Sequence, residues 1–142
     1  MIKVSTVLAR KGGGAISIDA DVSVLEALRL MAEKNIGSVV VTQDDEYLGL
    51  LTERDYARKV ILKGKASYET LVREIMSTGL PRIVPETSID TCMHLMSDSN
   101  IRYLPVFMAD KLCGIISIND LVKETILHQQ ETIEQLRDYI SS

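Results

Sequence analysis

Gly49-Leu50-Leu51-Thr52-Glu53-Arg54-Asp55 runs an apolar strand into a hydroxyl residue with an acid three places on, and Gly114-Ile115-Ile116-Ser117-Ile118-Asn119-Asp120 does the same 65 residues later. Held at that offset, Ile18 through Asp55 lie over Ile83 through Asp120 without a gap. Identical pairs include Ser23/Ser88, Met31/Met96, Asn35/Asn100 and Asp45/Asp110, with conservative pairs such as Val24/Ile89 and Leu50/Ile115 between them. A half of about 60 residues buries too little surface to stand comfortably alone. The repeat therefore predicts two related halves sharing one core about a pseudo-two-fold axis, as one module rather than two independent domains.

Each half reads β-α-β-β-α, which makes the fold class α/β (α+β), two pseudo-symmetric repeats packed sheet to sheet, with a C-terminal helix added. A short apolar stretch (Ala15-Ile16-Ser17-Ile18; Ile83-Val84) precedes a helix opened by Ser23 or Ser88. Glu26, three residues after Ser23, predicts a capping box, and Thr91 a weaker version. Val24, Ala27, Leu28 and Met31 share one helical face, repeated by Ile89, Cys92, Met93 and Met96, so the Met and Cys side chains read as core packing. Asn35 and Asn100 suit left-handed helix stops. Val39-Val40-Val41 and Tyr47 to Leu51 predict a hairpin, as do Leu104 to Phe107 and Leu112 to Ile116, around the turns Gln43-Asp44-Asp45-Glu46 and Met108-Ala109-Asp110-Lys111. A second helix is expected from Glu53 to about Leu62 and again from Asn119 onward.

The expected organisation is residues 1–62 as the first repeat with the N-terminal segment, 63–76 as linker and short helix (Tyr68 to Met76), 77–127 as the second repeat and 128–142 as a helical tail. In the tail Ile126, Ile133 and Ile140 recur every seven residues with Leu136 offset by three. Such a stripe suits a partner helix. His128-Gln129-Gln130 interrupts it, and a tail packed on its own module fits equally.

Composition narrows the function. The 142 residues are 46% hydrophobic and 25% charged, the balance of a globular protein with a real core, and the net charge of −4 leaves no basic field for nucleic acid or an anionic membrane. An anion must be held by local geometry. No apolar run approaches the roughly 20 residues that span a bilayer, and no basic segment leads an apolar block at the N-terminus. The expected compartment is cytoplasmic, with Cys92 and Cys113 as reduced core thiols. His94 and His128 join no metal-ligand cluster, and neither a nucleophile–base pair nor Gly-x-Ser-x-Gly occurs. No metal site and no catalysis are expected. Lys11-Gly12-Gly13-Gly14 lacks the Gly-Lys-Ser/Thr ending of a phosphate loop and reads as a flexible loop.

The repeated signature admits two readings. Thr52 and Ser117 can simply cap the following helix, with the acid closing the box. Alternatively the helix N-terminus offers N–H groups and its dipole to phosphate, while the Asp accepts from two vicinal ribose hydroxyls. Arg54, Arg58 and Lys59 either strengthen the positive field at the first copy or form a solvated helix face.

These residues resemble a family, the tandem cystathionine-β-synthase-type (CBS) domain pairs, or Bateman modules. The resemblance rests on both Gly-x-x-Ser/Thr-x-x-Asp signatures, on Asn100-Ile101-Arg102-Tyr103-Leu104-Pro105-Val106 and on Val72-Arg73-Glu74-Ile75-Met76, and it spans roughly Val4 to Leu127. It implies a non-catalytic regulatory module that binds an adenosine-containing small molecule (AMP, ADP, ATP, NAD or S-adenosylmethionine) in two clefts and signals to a regulated protein partner, commonly as a homodimer. Carried over by motif, one cleft uses Asp55 for ribose, Thr52 for phosphate, and Leu50, Ser77, Gly79 and Ile101 as lining. The other uses Asp120 and Ser117 with Ile115, Gly14, Ala15 and Ile36. Arg102 falls where the family often has a basic phosphate contact, and its counterpart Gly37 has no side chain. Val40 stands where the second half has Pro105. The competing expectation is a dimeric structural scaffold whose nucleotide clefts stay unoccupied.

Overall fold

The computed structural model describes residues 1–12 and 14–141. In chain order its elements are α1 (Val4–Lys11), β1 (Ser17–Asp19), α2 (Val24–Lys34), β2 (Ser38–Gln43), β3 (Glu46–Thr52), α3 (Glu53–Tyr56) continued by a π-helical turn (Ala57–Ile61), α4 (Val72–Ile75), α5 (Ile89–Ser99), β4 (Tyr103–Met108), β5 (Lys111–Ser117) and α6 (Ile118–Ser141). The chain forms two compact units, Gly14–Leu80 on the one hand and Met1–Gly13 with Pro81–Ser142 on the other.

In the unit Gly14–Leu80, β1 pairs parallel with β2 and β2 antiparallel with β3. Ser23 caps α2 by accepting from the Glu26 N–H at 3.1 Å; among the described residues only this half of the expected box forms. Asn35 ends the helix at φ 53°, the left-handed stop its sequence predicts. Val24, Ala27 and Met31 of α2 bury against Val39, Val41 and Leu51 of the sheet, the burial that the helical and alternating patterns demand. The expected helix Tyr68–Met76 shrinks to the single turn α4, whose Val72 and Ile75 join the same core.

The second unit repeats this plan. Ser88 caps α5, Asn100 ends it at φ 52°, and β4 pairs antiparallel with β5. The expected strand Ile83-Val84 reduces to one parallel bridge, Ile83 to Val106. Pro81 and Pro85, which lack an amide donor, bound it. Both hairpins turn through two residues with positive φ, Asp44 and Asp45 in one and Ala109 and Asp110 in the other, the mirror-image turn that matches strand twist.

α1 was not expected from the sequence. The N-terminal segment, grouped by its position with the first repeat, packs with the second: Val4 and Val7 are buried in the cluster built on Ile89, Met96, Leu104 and Ile116. The Val4 N–H donates to the Thr87 carbonyl as the Val72 N–H donates to that of Val22, the residue 65 places before Thr87, so Val4 answers to Val72 and α1 is the counterpart of α4. Cys92 is buried, and burial pushes its thiol up to about 11. Cys113, expected in the core, is exposed instead, on the outward side of the hairpin strand β5.

Candidate functional site

The first signature is built by strand β3 ending at Thr52, whose extended backbone (φ −120°, ψ 160°) turns the chain into α3. Thr52 Oγ1 accepts from the Asp55 N–H at 3.0 Å and donates to Asp55 Oδ2 at 3.0 Å, while the Thr52 N–H donates to the same Oδ2 at 3.0 Å. The other carboxylate oxygen accepts from Ser77 Oγ at 2.7 Å and pairs with Lys59 Nζ at 3.0 Å. Lys59 also donates to the Ile75 carbonyl at 2.9 Å. Asp55 is 6% exposed, so a buried carboxylate holds a complete set of partners, as burial of a charge requires.

Ser77 arrives there through two backbone hydrogen bonds with Leu50, of 3.0 and 2.7 Å. This crossing explains the signature's glycine. A Cβ on Gly49 would fall on the Ser77 carbonyl oxygen. Leu50, Thr52, Asp55 and Ser77 are thus one cluster, with Gly79 two residues on at φ 71°.

The second signature has the same skeleton and other partners. Asp120 N–H donates to Ser117 Oγ at 3.1 Å and Ser117 N–H to Asp120 Oδ2 at 2.8 Å, at the head of the 24-residue α6. Lys11, the last residue of α1, pairs with the same Oδ2 at 3.0 Å and donates to the Ile115 carbonyl at 2.8 Å. Asp120 Oδ1 takes no hydrogen bond among the described residues. One turn along α6, the buried Glu124 pairs with Arg10 Nε at 2.7 Å through Oε1 and accepts a hydrogen bond from it at 3.1 Å through Oε2. A Cβ on Gly114 would meet Leu8 Cδ2 at 2.6 Å, so here the close neighbour is a side chain of α1.

Arg102 is exposed, and its carbonyl accepts from the Ile118 N–H at 2.9 Å, which places its backbone beside Ser117 at the head of α6. Gly37 does the same for Glu53 at 3.1 Å. Among the described residues Arg102 forms no ion pair, with Asp98, Asp110 or any other acid. The remaining expected lining residues lie as follows. Ile101 is half-buried just beyond α5, bonded through its N–H to Met96. Gly14 and Ala15 are exposed ahead of β1, and Gly13 lies outside the described residues. Ile36 and Gly37 line a cavity of about 570 Å³ with Leu28, Met31, Glu53 and Tyr56.

Sequence reasoning missed Lys11, Arg10 and Glu124, and gave Lys59 no partner. With α1 set on α4 by the Val4 and Val72 hydrogen bonds the offset is 68 residues rather than 65, so Arg10 and Lys11 fall on Thr78 and Gly79 and the gapless repeat carries no sign of them. Among the described residues no three His, Cys, Asp or Glu groups stand together to hold a metal ion, and no helix is long and apolar enough to cross a membrane.

Comparison with known proteins accords with this duplicated geometry. The CBS domain matches residues 12–62 and again 72–126. The chain is similar to the mitochondrial CBS domain-containing protein CBSX3 of Arabidopsis thaliana, with 34% identity over 146 residues, 96% of this chain and 71% of that one. Among solved structures, a protein with CBS domains from Burkholderia ambifaria MC40-6 is 41% identical at a TM-score of 0.84, covering 89% of this chain and 96% of its own. A hexameric CBS-CP12 protein from bloom-forming cyanobacteria is 27% identical at 0.76, covering 85% and 66%.

Proposed function

The chain belongs to the CBS-domain family, and from that premise we propose that it is an adenosine-nucleotide-binding regulatory module whose ligand state is passed to a protein partner. CBS-domain pairs are generally regulatory and ligand-binding, and they commonly form oligomers; for this chain we propose a homodimer. The observation that carries the ligand reading is the duplicated head in which a hydroxyl accepts from the backbone N–H of an acid whose carboxylate pairs with an ammonium. A ribonucleotide presents vicinal hydroxyls, which donate to a carboxylate, and a phosphate, which takes charge-assisted bonds from cations. One head is Leu50, Thr52, Asp55 and Ser77, with Gly79 beside it; the other is Ile115, Ser117 and Asp120 with Arg102 beside it. AMP, ADP, ATP and NAD all fit this chemistry, and S-adenosylmethionine, which has no phosphate, fits its ribose part alone. Asp120, with Oδ1 open, is the readier ribose acceptor. Binding acts as a signal to the extent that the ligand prefers one of two conformations.

A thermal-shift and calorimetry panel of those five ligands tests the reading. A ligand at 100 times its dissociation constant stabilises by about 2.7 kcal/mol, and replacing Asp55 and Asp120 together by Ala should abolish the effect. Binding that survives the double replacement would overturn the ribose assignment. The second reading, a scaffold with empty clefts, is favoured by one observation, the complete internal hydrogen bonding of Asp55. No stabilisation by any of the five ligands would support it.

A further inference from the structure

From Ile126 to Ser141 every residue of α6 is exposed, so the tail does not fold back onto its own module. Its apolar residues nevertheless keep a strict order. With Ile126 at heptad position a, Ile133 and Ile140 are also a, Val122 and Leu136 are d, and Gln129 is the one polar d position. These side chains lie open, Ile126 and Ile133 at 48%, Leu136 at 57% and Ile140 at 81% exposure. We infer that α6 pairs with α6 of a second copy of this chain as a parallel, in-register two-stranded coiled coil. The inference rests on the pairing of two copies proposed above and specifies the element that makes it and its direction.

Three features select this occupant. Ile133 and Ile140 at a with Leu136 at the d layer between them is the combination that favours two parallel strands over three or four. Charge selects the direction. An antiparallel pair matching a to d layers sets Lys123 against the partner's Arg137, two like charges on the flanking e positions. The parallel pair instead sets Thr125 beside the partner's Gln130 and Thr132 beside the partner's Arg137, with no like-charge contact. Gln129 selects the register. In register it meets the same residue of the partner, and the two amides satisfy each other. A slip of one heptad would bury it against Val122 or Leu136 with its hydrogen bonds unmet. The acids Glu124, Glu131 and Asp138 all fall at f, on the side away from the seam.

Cysteine cross-linking in the full chain, with the exposed Cys113 replaced by Ser, tests both partner and direction. Leu136→Cys alone and Ile126→Cys alone should each give a disulfide-linked dimer on mild oxidation, and Glu131→Cys at the outer f position should not. In parallel, Ile133→Asp with Leu136→Asp should shift the protein in sedimentation from dimer to the 15.8 kDa monomer while ligand binding by calorimetry is unchanged. Cross-links that form only when the Leu136→Cys and Ile126→Cys proteins are mixed would mean an antiparallel pair and overturn the inference. A dimer that persists in the Asp variant without cross-links would overturn the coiled coil and leave the pairing of modules standing. A monomeric parent protein would overturn both.

Discussion

Asp55 and Asp120 hold equivalent places in the two helix heads, yet one carboxylate has all its partners and the other keeps an oxygen open. Asp55→Ala strips hydrogen bonds from Thr52 and Ser77 and the counter-ion from Lys59. It should cost about 1–3 kcal/mol, against roughly 0.5–2 for Asp120→Ala, which loses chiefly a cap. Urea denaturation of the two variants checks the order, and equal midpoints would refute it. The same asymmetry bears on binding. Lys59→Met leaves Asp55 Oδ1 with Ser77 as its one partner among the described residues, so it should tighten a neutral adenosine at that head while weakening ligands that depend on an ammonium for phosphate. Arg102, exposed and without an ionic partner among the described residues, is available to a phosphate at the head of α6. Arg102→Ala should weaken AMP by roughly ten- to a hundredfold, the 1.5–3 kcal/mol of a charge-assisted bond, and leave adenosine nearly unaffected. Equal losses for the two in calorimetry would make Arg102 structural. The acids and hydroxyls were legible because each signature is local, four residues from hydroxyl to acid. Lys11 was not, because its partner Asp120 is 109 residues away and nothing near Lys11 announces it.

Between elements, the glycine of each signature answers a crossing chain rather than a turn. Gly49→Ala forces a Cβ onto the backbone of Ser77 and should cost about 1–3 kcal/mol, as overpacking does. Gly114→Ala meets only the end of Leu8, which can rotate, and should cost less; thermal melts of the two variants decide this. The hairpin turns carry a related strain. Ala109 sits at φ 51°, a left-handed conformation that costs an L-residue about 1–2 kcal/mol. Ala109→Asn should raise stability by roughly 0.5–1 kcal/mol, since Asn tolerates that region, and an unchanged melt would show the turn unstrained. Elements with their own caps and periodicity, α2, α5 and the hairpins, could be read from the sequence directly. α1 could not. Its N-cap Lys3 makes no side-chain cap, its first turn has no acid, and its apolar face finds its partners only after residue 80. The linker helix failed the other way, an apparent pattern over Tyr68–Met76 of which only Val72–Ile75 coils.

For the molecule, the repeat seen in sequence and the compact units of the fold are cut in different places. The gapless 65-residue offset was enough to identify the duplicated plan, but similarity cannot say which half a flanking segment serves. Removing residues 1–11 should therefore weaken the unit containing the C-terminal half. Val4 and Val7 are 0% and 3% exposed, each worth about 1.5–3 kcal/mol when buried, and Glu124 would lose Arg10. Hydrogen exchange should show α5, β4 and β5 losing protection while α2, β2 and β3 keep theirs; uniform loss would contradict this assignment.

The return of α1 to the second half also sets an order of birth. As the chain leaves the ribosome, α1 emerges ahead of Gly14–Leu80 with nothing there to pack on, whereas Gly14–Leu80 can close once residue 80 is out. A helix made ahead of the first half thus docks only with the second, and Val4 and Val7 wait, uncovered, for Ile89, Met96 and Leu104, as Arg10 and Lys11 wait for acids synthesised more than a hundred residues later.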